Sequence, residues 1–98
     1  MRYARNVHFQ IKPGKDQEFT KLMQSEVIPT LKKQDGFRSE VALVNGQHAL
    51  GISLWNDRAS AEKYATTGYP QLLTKLGGVI EATPKVETFE VAATTITG

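Results

Sequence analysis

The dipeptide Asn45-Gly46, set between two runs of alternating apolar residues, most constrains what this chain can become. A two-residue hairpin turn of type I′ needs φ > 0 at both central positions, which Asn and Gly supply at the least cost. With Asn45-Gly46 as the turn, Val44 faces Gln47 and the register follows. One face carries Leu43–His48, Val41–Leu50, Ser39–Ile52 and Phe37–Leu54; the other carries Ala42–Ala49, Glu40–Gly51 and Arg38–Ser53. Large apolar pairs thus separate from small and polar ones, and a slip of one residue would scramble both faces. The second strand ends at Trp55, and Asn56-Asp57 can cap a helix that begins at about residue 57.

The flanking segments have equally plain periods. Over residues 2–12, Val7, Phe9 and Ile11 share one side with Tyr3 and Arg5, while Ala4, Asn6, His8 and Gln10 take the other, which predicts a strand. Lys12-Pro13-Gly14 ends it. Residues 15–35 predict a helix with Phe19, Leu22, Met23, Val27 and Leu31 as its apolar stripe, closed by Gly36. Pro29 interrupts that helix and predicts a kink or break near Val27–Pro29. A helix over about 57–67, with Ala61, Tyr64 and Ala65 inward, stops at Gly68 and restarts at Tyr69-Pro70, where Leu72, Leu73, Leu76 and Ile80 follow. Residues 85–94 predict a last strand with Phe89 and Val91 inward, before a polar tail over 94–98.

The order β-α-β-β-α-β is that of a ferredoxin-like α+β fold, a four-stranded antiparallel sheet with helices on one face. Ninety-eight residues without repeats or linkers make one domain, 1–98, with its core over about 3–93. The composition, 40% hydrophobic and 22% charged, is that of a globular chain. A net charge of +2, scattered along the sequence, offers no clustered basic patch with stacking aromatics, so nucleic acid is not the expected partner. The absence of cysteine removes disulfides and thiolate chemistry. No apolar run suits a secretory signal or a membrane span, which leaves the cytoplasm as the expected location.

This pattern places Val41, Leu43, Leu50, Ile52, Leu54 and Phe89 under the helices with Val7, Phe9 and Ile11. Ala42, Ala49, Gly51 and Ala92 then lie on the opposite face, where small residues would let a second sheet approach, and a homodimer through the sheet faces is expected.

The segment VHFQIKPGKDQEF at 7–19, the GF at 36–37 and SLWNDRASAEKYA at 53–65 resemble the antibiotic-biosynthesis-monooxygenase-type family of dimeric α+β barrels. In that family a strand ends in a Lys-Pro-Gly-like turn, a helix follows, and a third strand ends in tryptophan. The resemblance implies a dimeric α+β barrel. It also implies a cofactor-independent monooxygenase acting on a small aromatic or quinol-type substrate in a cleft between helices and sheet. There the substrate's own carbanion would reduce oxygen, and the protein would supply a base and an oxyanion partner. The alternative is a non-enzymatic small-molecule-binding or structural dimer module, since fold alone does not choose. The haem-degrading relatives use an asparagine on strand one and a histidine on the later helical segment. Here Val7 stands at the first position, with Asn6 adjacent, and residues 69–80 contain no histidine, so neither haem nor another cofactor is expected.

The candidate catalytic residues are Arg5, Tyr64 and Tyr69. Arg5 either sits at the sheet end and reaches solvent or points into a cleft under the helices, where it could hold an anionic or enolate oxygen. Tyr64 and Tyr69 flank the helix break and either line that cleft or pack as aromatics with wet hydroxyls. Trp55, His48 and Ala61 are expected along its walls, Trp55 in a structural role. Two alanines on the 57–67 helix should leave a gap above the strands, with Gly68–Pro70 as its movable edge, unless Leu72, Leu73 or Met23 fill it. His8 and His48 fall on opposite faces of the sheet in this register, so a shared metal site within one chain is not expected.

Overall fold

The computed structural model describes residues 1–96; the last two residues of the polar tail, 97–98, lie outside it. The alternating first segment forms β1 (Tyr3–Gln10). The helical region that follows is continuous but not uniform: α1 (Asp16–Leu22), a π-helical turn (Met23–Val27) and α2 (Ile28–Lys32). Pro29 explains the wide turn. A proline has no N–H to donate, and its ring crowds the carbonyl four residues earlier, here Ser25. Widening the preceding turn, so that the Ile28 N–H bonds the Met23 carbonyl, relieves that crowding without breaking the helix. Pro29 itself then stands in the first turn of α2, where its missing N–H is harmless.

Next come β2 (Phe37–Asn45), β3 (His48–Trp55), α3 (Arg58–Thr66), α4 (Gly68–Leu76) and β4 (Lys85–Glu90). Asp57 caps α3, its Oδ1 accepting from the Ser60 amide at 2.8 Å. All strand pairs are antiparallel and the sheet order is β2-β3-β1-β4, the ferredoxin-like arrangement. Among the described residues no helix is long and apolar enough to cross a membrane.

The hairpin turns one residue later than Asn45-Gly46. Asn45 stays in the ladder opposite His48, and the loop is Gly46-Gln47. Only Gly46 takes a positive φ, +62°, the pattern of a type II′ turn, which needs glycine at its first central position. The register therefore shifts by two: Leu43 faces Leu50 and Ala42 faces Gly51. A shift of two preserves parity, so from Ser39 to Leu54 the two faces of the hairpin keep their membership, and only Phe37 changes face.

Their direction, however, is the reverse of the sequence expectation. Pairing with β1 sets Phe9 opposite Ala49, Val7 opposite Gly51 and Arg5 opposite Ser53. Val7 and Phe9 are core residues, so Ala49, Gly51 and Ser53 lie beneath the helices with them. Trp55, 0% exposed, belongs to this same face by alternation. A β-bulge between Phe37 and Ser39 keeps Phe37 opposite Trp55, ring centroids 5.6 Å apart, while Glu40 and Ala42 also turn inward.

The large aliphatics consequently face away from the helices. Val41, Leu43 and Phe89 are 46%, 49% and 51% exposed on the open side, with Leu50 and Ile52 half-buried beside them. Ala42, Ala49 and Gly51 cannot form a dimer contact, because the helices cover them. Ala92 lies past the end of β4, which stops at Glu90; only the Val91 amide, bonded to the Arg2 carbonyl, continues the ladder. Phe89 faces outward because it pairs with Ala4, and Val91 is half-buried.

One tie holds the ends of the hairpin together. Gly36, at φ +80°, accepts from the Asn56 amide at 2.8 Å, joining the entry of β2 to the exit of β3. A Cβ at Gly36 would collide with the Ser60 side chain. Gly36→Ala should therefore lower stability by about 2 kcal/mol or more, read from urea midpoints.

Candidate functional site

Arg5 is the odd residue of the core. It occupies the inward face of β1, two positions from Val7, and is only 3% exposed. Its guanidinium carbon lies 4.5 Å from the ring centre of Tyr69 and 5.2 Å from that of Tyr64. Burial lowers the Arg5 pKa below the usual guanidinium value, and the two tyrosines and Glu40 offset part of this. Tyr64 comes from α3 and Tyr69 from the start of α4, so the break, which falls at Thr67 and leaves Gly68 as the first residue of α4, is what brings both rings onto one cation. Behind them Trp55 stacks on Tyr64 at 4.9 Å and donates its indole N–H to Ser53 Oγ at 2.8 Å.

Glu40 completes the cluster, and sequence reasoning placed it on the wrong face. Its side chain turns inward from β2, opposite Ser53. Burial raises its carboxyl to about 7, the Val41 backbone amide and the Arg5 charge offsetting only part of the cost. Burial likewise pushes the Tyr64 and Tyr69 hydroxyls upward, Arg5 opposing it in both. Arg5 Nε, Glu40 Oε1 and the Tyr69 hydroxyl are all buried without a hydrogen-bond partner among the described residues. Such atoms cost about 1–3 kcal/mol each when left unpaired, and they concentrate at sites built for something other than stability.

These groups form the polar end of a cavity between sheet and helices. Val7, Phe9 and Gly51 make its floor. Met23 and Val27 of the π-helical turn, with Leu31, Leu72, Leu73 and Leu76, make an apolar wall. The gap expected above the strands is largely filled by Met23, Leu72 and Leu73. The volume left is about 20 Å³, room for roughly one water. A separate cleft of about 110 Å³ between α3 and the β1–β4 edge is lined by Tyr3, Arg58, Ala61, Glu62 and Thr88, and reaches Arg5 from outside.

The structure thus brings Arg5, Tyr64 and Tyr69 together, with Trp55 behind Tyr64 and Ala61 in the outer cleft. His48 is not among them. It stands exposed beside the hairpin turn, paired with Asn45 and Gln10, on the open sheet face. His8 shares that face, where its Nε2 lies 3.0 Å from Glu87 Oε1. The two histidines are therefore not on opposite faces, because the hairpin is turned over relative to expectation.

The antiparallel sheet, with its helices on one face enclosing a buried cation, a buried acid and two phenols, is a ferredoxin-like α+β domain. The chain belongs to the antibiotic biosynthesis monooxygenase family, whose sequence profile matches residues 2–71. No curated protein sequence gives a significant match. Among solved structures, a protein of unknown function from Nitrosomonas europaea is 19% identical, with 99% of this chain and 95% of that one covered at a TM-score of 0.81. SnoaB, a cofactor-independent oxygenase from Streptomyces nogalater, is 16% identical over 96% of each chain, with a TM-score of 0.79. A monooxygenase from the ActVA-Orf6 gene of Streptomyces coelicolor, in complex with the ligand nanaomycin D, is 14% identical over 98% of this chain and 92% of that one, at 0.77. At these identities the likeness establishes the fold.

The Glu40 carboxyl makes a testable contribution to stability. Its folded pKa, about 7, lies above the ordinary 4.5. The folded state therefore binds more protons between those values, and stability falls as pH rises through that window. The wild type should lose about 2–3 kcal/mol between pH 5 and pH 8 relative to Glu40→Gln, measured by urea denaturation at both values.

Proposed function

We propose that the protein is a cofactor-independent monooxygenase acting on a small aromatic or quinol-type substrate in the cavity between helices and sheet. The observation that carries this reading is the buried Arg5 held over Tyr64 and Tyr69, at the end of an otherwise apolar space. A fixed cation in a water-poor site stabilises an oxyanion far better than the same cation in water. Family membership supports the same chemistry.

The reaction needs no electrons from elsewhere. At an anthrone-type methylene, CH₂ becomes C=O. One atom of dioxygen enters as the carbonyl oxygen, the other leaves as water with the two methylene hydrogens, and all the electrons come from the substrate. Arg5 holds the substrate oxygen on which negative charge gathers, and the tyrosine rings hold Arg5. The substrate enters as α4 and the π-helical turn move apart, since the resting cavity is too small for it. That small volume favours the second reading, a binding or structural module without catalysis.

The protein acts as a homodimer joined through the open sheet faces. The support is the exposed apolar group of Val41, Leu43 and Phe89, with Leu50 and Ile52 between them. The double substitution Val41→Glu/Leu43→Glu should convert a dimer to a monomer of unchanged circular dichroism in sedimentation velocity. A wild-type chain that sediments as a monomer at every concentration would refute the assembly.

Oxygen uptake with a panel of hydroxyanthrones and quinols tests the activity. Arg5→Met, which keeps volume and removes charge, should lower kcat by about 100-fold or more on any substrate that turns over. If no member is oxidised above the buffer rate while one raises the melting temperature, the binding-module reading replaces catalysis.

A further inference from the structure

We propose that Glu40 is the proton acceptor of this cavity, taking the proton of a phenolic hydroxyl on the substrate while Arg5 holds the oxyanion that results. The inference rests on the reading of the cavity as an aromatic-substrate site. It adds a catalytic residue and names the substrate group, a neutral phenol or quinol hydroxyl rather than a carboxylate or phosphate.

Three unpartnered atoms line one cavity: an acceptor, Glu40 Oε1, and two donors, Arg5 Nε and the Tyr69 hydroxyl. A phenol is complementary to that set. It gives its hydrogen to the acceptor, and its oxygen then receives from the donors. In the resting structure the space beside the carboxylate holds about one water, so a phenol reaches it only when the cavity opens, and Gly51 keeps that floor free of a side chain. A Cβ there would lie 3.8 Å from Glu40 Oε2 and 3.3 Å from Phe9 Cε2. Any larger residue at 51 would fill the floor of the cavity next to the acid.

Charge accounting selects the same ligand. Ionised Glu40 and Arg5 sum to zero. A phenol that enters neutral and passes its proton to Glu40 leaves neutral Glu40, cationic Arg5 and an anionic phenolate, again summing to zero. An incoming carboxylate or phosphate would instead add a buried charge facing the Glu40 carboxylate, which a low-dielectric site penalises. In the step itself the substrate O–H bond breaks, a new O–H bond forms on the Glu40 carboxyl, and the electron pair stays on the phenolate oxygen. No oxidant is consumed until dioxygen reacts with the anion.

The titratable groups around Glu40 are Arg5 from β1, Tyr64 from α3 and Tyr69 from α4. The π-helical turn and α2 present Met23, Val27 and Leu31, which do not titrate. An acid near 7 among them is ionised at mildly alkaline pH, and it keeps a phenol's proton because Arg5 holds the phenolate and draws the phenol's own pKa down toward that of the acid.

The test uses 2-naphthol at pH 8, where the free probe is neutral and its anion absorbs differently. The wild type should bind it with the naphtholate spectrum, and calorimetry in two buffers of different ionisation enthalpy should show no net proton release. Glu40→Gln should bind it with the spectrum of neutral naphthol, and Glu40→Asp should restore part of the naphtholate signal. As a measurement on the unaltered chain, the carbon-13 signal of the Glu40 carboxyl should move to its protonated position when the probe is added at pH 8. Naphtholate in both wild type and Glu40→Gln, with a proton released to buffer by each, would overturn the role of Glu40 and leave the aromatic site standing. Failure of both 2-naphthol and hydroquinone to perturb the Gly51 and Tyr64 amide signals would overturn the site and this role together.

Discussion

From Arg5 to Phe9, each large side chain on the helix side of β1 faces a small one on β3: Ser53, Gly51 and Ala49. This is a volume constraint. Interiors pack at crystal-like density, and the ring of Phe9 lies so near Gly51 that a Cβ there would sit within 3.3 Å of it. Phe9 then meets Phe19 of α1 edge-on at 5.2 Å, which seats the helix on the strand. Were the bulky face of the hairpin turned inward instead, Leu50 and Ile52 would compete with Phe9 and Val7 for one layer. The orientation of the whole hairpin follows, and with it the inward position of Glu40 and the outward position of Val41 and Leu43.

That orientation places an acid and a base in one interior. Arg5 and Glu40 are not in salt-bridge contact, and charges taken out of water without a close partner cost stability rather than add to it. Trp55 and Ser53, by contrast, satisfy each other, so the unpaired atoms are confined to Arg5, Glu40 and Tyr69 within the cluster. Perturbed acids beside a fixed cation in a cavity are what reactive sites are built from. The surrounding leucines and the stacked Trp55–Tyr64 pair supply the stability that this cluster does not.

Element order, the strand alternation of β1, a helix break next to Gly68 (it falls at Thr67) and the disturbance at Pro29 were all legible, because each depends on local chemistry. The convergence of Arg5, Tyr64 and Tyr69 was only one of two alternatives, because β1 parity sets the side on which Arg5 lies but not whether its long side chain folds inward or runs out to solvent; the two ring contacts show it inward. The inward face of the hairpin was not legible from hydrophobicity, which assumes that the greasier side meets the helices. In this chain both sides of β3 are apolar in different ways, one large and one small. Trp55 carried the decisive signal: a fully buried indole at the end of β3 commits residues 53, 51 and 49 to its own side. Read that way, Glu40 moves inward and His48 moves out. The turn lies one residue later because the type II′ form needs a positive φ at Gly46 only, which leaves Asn45 in the ladder opposite His48.

The π-helical turn also has a geometric effect beyond accommodating Pro29. Phe19, Met23, Val27 and Leu31 recur at strict intervals of four and are all buried. In an ideal α-helix each interval of four overshoots a full rotation by about 40°, so the row would wind steadily around the axis. A turn closed by five-residue bonds winds more slowly and takes up part of that excess where Met23 gives way to Val27. It acts as a phase correction, holding four successive anchors in line along one wall.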